Sequence, residues 1–240
     1  MSVSKLLGHP DFVEGVGNIY PVKLKDYDKF NANSDILYIS KNNFEEVDLP
    51  LLFLILKGLE SSGVSKDIVV QKMITILQIV LRKEDIQYFE QNSVMGFIID
   101  EKNCIHYDNY DKVREIIMNQ NLLFEPKVFK NKMVQEWAEK VLLAKTKNSA
   151  NITFEDMIDT IHIYTGMPYS ELEEETIYQI RRDFDRVCKI KKYETEVLYQ
   201  TVDEKHRDVE HFAEQIVFKN PYDDLFVKKD KLNKLDNAMK

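Results

Sequence analysis

The stretch that divides the chain is residues 121–145, NLLFEPKVFKNKMVQEWAEKVLLAK, which contains Trp137, the only tryptophan. Pro126 predicts an extended entry, and the residues after it predict one amphipathic helix. Apolar side chains recur there at the three- and four-residue spacings of a helical face: Val128, Met133, Val134, Trp137, Val141 and Leu142. A strand-rich half precedes this stretch and a helical half follows it, so we expect it to bridge them.

The composition indicates a soluble, mainly helical protein. Hydrophobic residues make up 44% of the 240 residues, enough for a core, and only 7 Gly and 6 Pro supply turn signals. The formal net charge of −8 argues against a dedicated nucleic-acid binder, because phosphate binding needs a positive surface. The most apolar run, residues 49–56, is much shorter than the about 20 residues that span a bilayer. With no signal-peptide pattern at the start, we expect the protein in the cytoplasm of the cell that makes it, without a membrane partner.

The first half of the chain predicts a small β-meander next to apolar helices. Short aromatic and β-branched runs separated by polar turns predict its strands at residues 86–90, 94–100 and 103–107. Two further strands are predicted at residues 18–25, interrupted by Pro21, and at residues 35–41. Helices are predicted over residues 49–62, 65–82 and 108–121, the last with Asp108 as its N-cap. The helix over residues 65–82 is apolar on more than half of its surface, which places it either in the core or in a subunit interface.

The second half predicts helices. Residues 145–153 are a polar linker, and two S/T-x-x-D/E capping boxes follow, Thr153 with Asp156 and Ser170 with Glu173. Gly166 would end the first helix, and a long helix is predicted over residues 176–201. A helical piece over 202–218, a turn over 220–226 and a charged tail complete the chain.

These elements predict an α+β, mainly α-helical fold, with a small β-meander in the N-terminal domain and a helical C-terminal domain. The predicted division is residues 1–147 for the mixed domain, 148–201 for the helical domain, and 202–240 for the C-terminal segment and tail.

The residue pattern predicts no catalytic, metal or cofactor site. His206 and His211 are five residues apart without a third ligand, and Cys104 and Cys188 belong to no metal-binding cluster. No phosphate-binding glycine loop and no nucleophile motif occurs, so we expect no enzyme, although a convergent site in a pocket stays open as a third interpretation.

Two charged or aromatic segments have alternative interpretations. The basic run from Arg181 to Lys192 would be a solvated helix face paired with Glu173–Glu175 and with Glu194 and Glu196, or would meet an acidic partner or nucleic acid. The segment NPYDDLF exposes Tyr222, Leu225 and Phe226 either as a partner-docking peptide or folded back on its own domain.

Five phrases in order resemble the tail assembly chaperone family of tailed phages that infect Gram-positive bacteria. The phrases are NIYPVKLKDYDKF, HYDNYDKVREIIMNQNLLFEPK, MVQEWAEKVLLAK, MIDTIHIYTGMPYSELEEETIYQI and VEHFAEQIVFKNPYDDLF, and together they span about residues 18–226. None is a catalytic signature.

This resemblance implies a non-enzymatic protein that binds the helical tape measure protein, keeps it soluble and promotes polymerisation of the tail tube protein. No family motif fixes the binding residues, so the candidates come from the apolar helices and the tail. They are Ile76, Leu77 and Val80, then Trp137, and finally Tyr222, Leu225 and Phe226. The tail from Asn220 would recruit tube subunits or another copy of the protein as a homo-oligomer. The alternative function is a structural protein retained in the virion, such as a tail or baseplate component.

Overall fold

The computed structural model describes residues 3–44, 48–61, 63–91, 94–127, 129, 131–147, 151–203 and 209–225. In these residues the fold is α+β and mainly helical, which confirms the predicted fold class. The helices are α1 (Val3–Leu6), α2 (Tyr27–Asn31), α3 (Leu51–Phe53), α4 (Leu59–Ser61), α5 (Lys66–Leu81), α6 (Tyr110–Gln120), α7 (Lys132–Lys147), α8 (Phe154–Thr165), α9 (Tyr169–Leu172) and α10 (Ile177–Val202). The strands are β1 (Asp11–Val13), β2 (Gly17–Ile19), β3 (Gln87–Gln91), β4 (Val94–Ile98) and β5 (Cys104–Ile105).

Strands β3, β4 and β5 pair in chain order and antiparallel, so the predicted β-meander is confirmed. Tyr88 is opposite Phe97, and Phe97 is opposite Ile105 on the other side. A Cβ atom added at Gly96 would lie 2.1 Å from the Ile105 carbonyl oxygen. Only glycine therefore allows β4 and β5 to approach this closely.

The strand predicted over residues 35–41 is wrong, because Ser34–Tyr38 forms a 3-10 helix. Ile36 and Leu37 are adjacent in sequence and both buried, whereas successive strand residues point to opposite faces. The strand predicted over residues 18–25 is shorter than expected, since β2 ends at Ile19. Beyond it Lys23 makes a single antiparallel bridge to Thr176.

Helix α5 lies in the core of the protein, which decides between the two alternatives that its apolar surface left open. The helix predicted over residues 49–62 is also confirmed, as α3, a π-helical segment (Leu54–Gly58) and α4. Together these helices supply much of the core: Leu51, Leu52, Leu54, Ile55, Leu56, Val69, Val70, Met73, Ile76, Leu77, Val80 and Leu81 are buried. Apolar burial on this scale is the main stabilising term of the N-terminal part.

Helix α6 has Asn109, not Asp108, at the N-cap position. The Asn109 side chain accepts a hydrogen bond from the His106 amide at 3.0 Å and donates one to the Cys104 carbonyl at 2.9 Å. It therefore fixes the turn between β5 and α6, although it does not bond to the first amides of the helix.

The chain segment of residues 20–25 connects three parts of the molecule by hydrogen bonds. The Tyr20 amide donates to the Val80 carbonyl at the end of α5, at 2.7 Å. The Val22 amide donates to Oδ1 of the buried Asn121, at 3.0 Å, just after α6. Three bonds reach the region before α10: Ile177 N to Val22 O at 3.1 Å, Leu24 N to Glu175 O at 2.8 Å, and Lys25 N to Glu173 O at 3.1 Å.

Side chains strengthen this connection between the N-terminal part and the later helices. Tyr27 stacks on Phe154, with ring centroids 4.2 Å apart. The Glu174 carboxylate bridges Lys23 and Lys25, with an oxygen 2.5 Å from each ammonium nitrogen. These two hydrogen-bonded ammonium groups hold the pKa of Glu174 at about 2, well below its usual value.

Capping boxes set the starts of α8 and α10. The predicted box of Thr153 and Asp156 is confirmed, and Gly166 ends α8 with a φ of +74°. The box predicted for Ser170 and Glu173 is wrong, because Ser170 lies inside the short helix α9, whose N-cap is Pro168. The second box is formed by Thr176 and Gln179, and it opens α10, which confirms the predicted long helix.

The chain forms two compact units. The first contains the described residues within 1–123 and 153–216, and the second those within 124–152 and 217–240. The predicted domain boundary at residue 147 lies in the sequence of the second unit. Helices α8 to α10 therefore share a unit with the β-meander and α5.

Replacing Asn121 by Leu should lower the free energy of unfolding by about 1–3 kcal/mol, because the buried Val22 amide would lose its acceptor. Urea unfolding followed by far-ultraviolet circular dichroism measures this change. The matched control is Asn119→Leu, an exposed position of α6, which should change the stability by less than about 0.5 kcal/mol. Equal effects of the two substitutions would contradict the role of Asn121.

Replacing Glu174 by Gln should lower the melting temperature at pH 7 and flatten its decline in acid. Because the folded pKa of Glu174 is depressed to about 2, its contribution is complete above the unfolded pKa and is lost as the pH falls toward 2. Thermal unfolding between pH 7 and pH 2.5 tests this expectation. The exposed Glu171→Gln variant is the control, and a wild-type profile for Glu174→Gln would refute the bridge as a stabilising contact.

Candidate partner-binding surfaces

The apolar groove predicted on α5 is filled by the protein itself. Ile76, Leu77 and Val80 are buried in the core. Ile76 and Leu77 face Val113 and Ile117 of α6 across a small apolar cavity. In this structure the three side chains present no surface to a partner, and on α5 the large apolar side chain most open to solvent is Ile68, at 55% exposure.

Helix α7 carries two exposed apolar side chains on one face of the second unit. Met133 and Trp137 are four residues apart, hence adjacent on the helix surface, and are 79% and 48% exposed. Ala138 is buried and Val134 is half-buried, so the helix has a separate covered side. Lys132 and Lys140 are exposed at the two ends of the Met133–Trp137 pair. Val128, which was predicted to belong to the same face, lies outside the described residues.

The C-terminal segment folds back on its own unit, which favours the second of its two sequence interpretations. Residues Pro221–Asp224 form a 3-10 helix capped by Asn220. Asn220 Nδ2 donates to the Glu125 carbonyl at 2.9 Å, and Asp223 forms an ion pair with Lys127. Two rings complete the contact, since the centroids of Phe129 and Tyr222 are 6.2 Å apart.

The structure thus brings the predicted residues Trp137, Tyr222 and Leu225 into one unit, with the 3-10 helix in contact with α7. Tyr222 and Leu225 are half-buried there. Phe226 lies outside the described residues.

In the first unit, α8 runs parallel to α10 and covers the first half of one of its faces. Near the start of α8, Arg181 lies over the Phe154 ring at 5.6 Å, and near its end Lys191 lies over the Tyr164 ring at 5.0 Å. Between these points the buried residues Ile161, Leu172, Ile180 and Phe184 form a small core.

The same face of α10 continues beyond the end of α8. Steps of three, four or seven residues keep a helical position on one side, so the row of Ile180, Phe184, Lys191, Leu198 and Val202 is a single stripe. Burial along the stripe is lost after the middle of the helix, and Leu198 and Val202 are 67% and 87% exposed. Tyr199 is exposed beside them. This row together with Tyr199 is the α10 stripe, and its uncovered part consists of Lys191, Leu198, Tyr199 and Val202.

Sequence analysis missed this surface, because it assigned Val197 and Leu198 to the regular pattern of one long helix. The available signal was a difference in length, since α8 has 12 residues and α10 has 26. A helix of 12 residues spans about 18 Å and cannot cover one of about 39 Å.

Three of the six basic residues of α10 contact a segment that follows the helix. This segment, residues 209–216, is called the strap. It is not helical, so the helical piece predicted over residues 202–218 is wrong for this part. Glu210 lies 2.9 Å from the Lys192 ammonium, and Glu214 lies 3.7 Å from that of Lys189. Arg186 donates to the Phe212 carbonyl.

These contacts revise the predicted charge pairing. Glu194 and Glu196 do pair with Lys191 and Lys192, as the sequence indicated. Glu174 of the acidic run pairs with Lys23 and Lys25 instead. The basic face of α10 is therefore covered in large part by the acidic strap, and the hydrogen bond from Lys192 lowers the pKa of Glu210.

Several carboxyl groups near the start of α10 have a pKa that is raised, in contrast to that of Glu210. Burial raises the pKa of Asp183 and of Asp185, and burial followed by the charge of Asp183 raises that of Glu175. Burial also raises the pKa of the Cys188 thiol, with a further contribution from Asp185. A raised thiol pKa disfavours the reactive thiolate, so Cys188 lacks the electrostatic setting of a nucleophile.

Metal-binding clusters and membrane-spanning helices are both absent from the described ranges. There, no three His, Cys, Asp or Glu side chains are grouped to hold a metal ion. His211 Nδ1 accepts a hydrogen bond from the Ala213 amide at 3.1 Å, and His206 is not among the described residues. No helix of the described part has the length and apolar character to cross a membrane.

Replacing Ile76 by Asp should abolish folding or lower the free energy of unfolding by more than about 4 kcal/mol, because a carboxylate would be buried without a partner. The control is Ile68→Asp in the first turn of the same helix, where the side chain is exposed and a negative charge is favoured. Chemical unfolding of both variants measures the difference. A folded Ile76→Asp protein of near wild-type stability would show that α5 can present this face to a partner.

Comparison with known proteins relates the chain to phage-derived proteins. The model of the family described as the YomV second domain matches residues 145–217, which include α8, α9, α10 and the strap. The SPbeta prophage-derived uncharacterized protein YomV of Bacillus subtilis (strain 168) is 25% identical over 199 residues, which cover 82% of this chain and 80% of that protein. No solved structure matches significantly. These similarities support a phage-derived protein family for the chain, and neither name states a role in tail assembly.

Proposed function

We propose that this protein is a non-enzymatic assembly chaperone of a tailed phage that acts in the host cytoplasm. It binds the tape measure protein, keeps it soluble and promotes assembly of tail tube subunits around it. The similarity to a prophage-derived protein supports the phage context. The order of the five phrases that resemble tail assembly chaperones supports the specific role.

The observation that carries the proposal is the exposed pair of Met133 and Trp137 on α7. A tryptophan that is half exposed beside an even more exposed methionine is typical of a binding surface, because tryptophan is enriched among the residues that dominate interface energies. Methionine adapts its shape to irregular apolar partners, which suits a chaperone that meets many turns of a long helical chain.

The charges of the protein fit the same function. A net charge of −8 keeps the free protein from associating nonspecifically while it exposes apolar side chains. On α7 the exposed cations Lys132 and Lys140 lie at the ends of the apolar pair, and Glu136 lies between them. An amphipathic helix with apolar residues at three- and four-residue spacing and mixed charges along its edges is the partner that such a surface fits.

Replacing Met133 and Trp137 together by Gln should reduce recovery of the tape measure protein at least tenfold. The tagged full-length protein is purified from phage-producing cells, and the co-purified tape measure protein is quantified by mass spectrometry. The loss is expected because the two side chains are neighbouring exposed apolar residues of α7. Circular dichroism must show an unchanged helix content, as expected for exposed positions.

The matched control replaces Lys132 and Lys140 of the same helix by Gln, which leaves the apolar pair in place. Undiminished recovery with the Met133/Trp137 variant would reject α7 as the binding surface. Failure of the wild-type protein to recover any tape measure protein would reject the chaperone function itself. Mass spectrometry of purified particles is the complementary experiment, because an assembly chaperone should be absent from them and a virion component should be present.

A further inference from the structure

The second half of the α10 stripe is the uncovered continuation of a surface that already packs against a helix within the protein. Ile180 and Phe184 at its covered end pack with Ile161 of α8. The covering helix ends at Thr165, beside Lys191, and α10 continues to Val202. Eleven further residues at 1.5 Å each leave about 16 Å of the stripe uncovered, or three helical turns.

Helix α8 indicates the shape of a segment that fits this surface. It packs with apolar residues at positions 154, 157, 158 and 161, which is the three- and four-residue spacing of an amphipathic helix. Because the stripe has the same helical geometry on both sides of Lys191, a second helix in line with α8 would meet Leu198 and Val202 as α8 meets Ile180 and Phe184.

The chemistry of the uncovered part restricts its partner further. Residues 197–202 read VLYQTV and contain no charged side chain, so the contact face of the partner should be uncharged as well. At the edge nearest α8, Lys191 is already paired with Glu194 at 2.8 Å and lies over the Tyr164 ring. Selectivity for the partner would therefore come from the fit between apolar side chains rather than from a new ion pair.

We propose that the uncovered part of the α10 stripe is a docking site for one amphipathic helix of a partner protein, about three turns long, packed in line with α8 against Leu198, Tyr199 and Val202. This inference does not depend on the identity of the tape measure protein as a partner, because it rests on the packing of α8 and α10. A second copy of the chain would instead pair stripe against stripe, and the sedimentation experiment below detects that outcome.

The test uses the full-length protein and a helical probe of known sequence. The probe is a fluorescein-labelled, hydrocarbon-stapled peptide of residues 153–166, since α8 is the helix that packs on the covered half of the stripe. Stapling removes most of the ordering entropy that a short isolated helix would otherwise lose. Fluorescence anisotropy should show saturable binding to the wild-type protein.

Binding should weaken at least tenfold when Leu198 and Val202 are both replaced by Lys. Lysine near a helix C-terminus is favoured by the helix dipole, so the variant should remain folded, which circular dichroism verifies. The matched control is Val197→Lys, an exposed position on another side of the same turn, which should bind within twofold of wild type. A peptide carrying Ile158→Lys and Ile161→Lys should not bind.

Three results would overturn the proposal. The first is equal binding of the probe to the wild-type protein and to the Leu198/Val202 variant, which would place the probe elsewhere. The second is no saturable binding at protein concentrations up to about 1 mM. The third is a wild-type dimer in sedimentation velocity that Leu198/Val202 substitution abolishes and Val197→Lys preserves, which would make a second copy the occupant. None of these results changes the outcome of the tape measure co-purification, so the two proposals fail separately.

Discussion

The hydrogen bonds of residues 20–25 hold the first unit together. In this short segment, backbone groups meet the end of α5, the residue after α6 and the turn before α10. A backbone amide buried without an acceptor costs about 1–3 kcal/mol, so these partners hold the end of α5, the end of α6 and the start of α10 close to one another. The position of α10, and with it the α10 stripe, follows from this segment.

The elements with a strong repeating pattern could be predicted from the sequence. Helix α5 and the three strands of the meander have long or regularly spaced apolar runs bounded by polar turns, and Thr153 with Asp156 is an unambiguous cap. The errors arose where one sequence pattern fits two different local structures. Ser170 and Thr176 both begin a sequence that could form a capping box. Only Thr176 does so, because the short helix α9 starts ahead of Ser170, after the extended backbone at Pro168.

The candidate surfaces were harder to predict for a related reason. An apolar face has the same periodicity whether the protein's own core or a partner covers it, and the covering element is distant in sequence. On α5 the predicted surface is filled by α6 and other parts of the N-terminal core, whereas on α10 a face of the same kind extends beyond its covering helix. Trp137 could be identified from the composition alone, because a single tryptophan on a helix with many charged residues is unusual.

The pairing of residues 20–25 with residues 173–177 also sets an order of events during synthesis of the chain. Lys23 and Glu174 are 151 positions apart, so their contact cannot form until most of the chain has left the ribosome. At translation rates of about 5–20 residues per second the N-terminal segment waits roughly 10–30 s for its partners. During that interval α5 and the meander can collapse around their own apolar residues, but the Val22 carbonyl and the amides of Leu24 and Lys25 remain available to water or to other proteins. The first unit of the molecule is thus completed late in translation, by the return of the chain after the residues of α7 have been made.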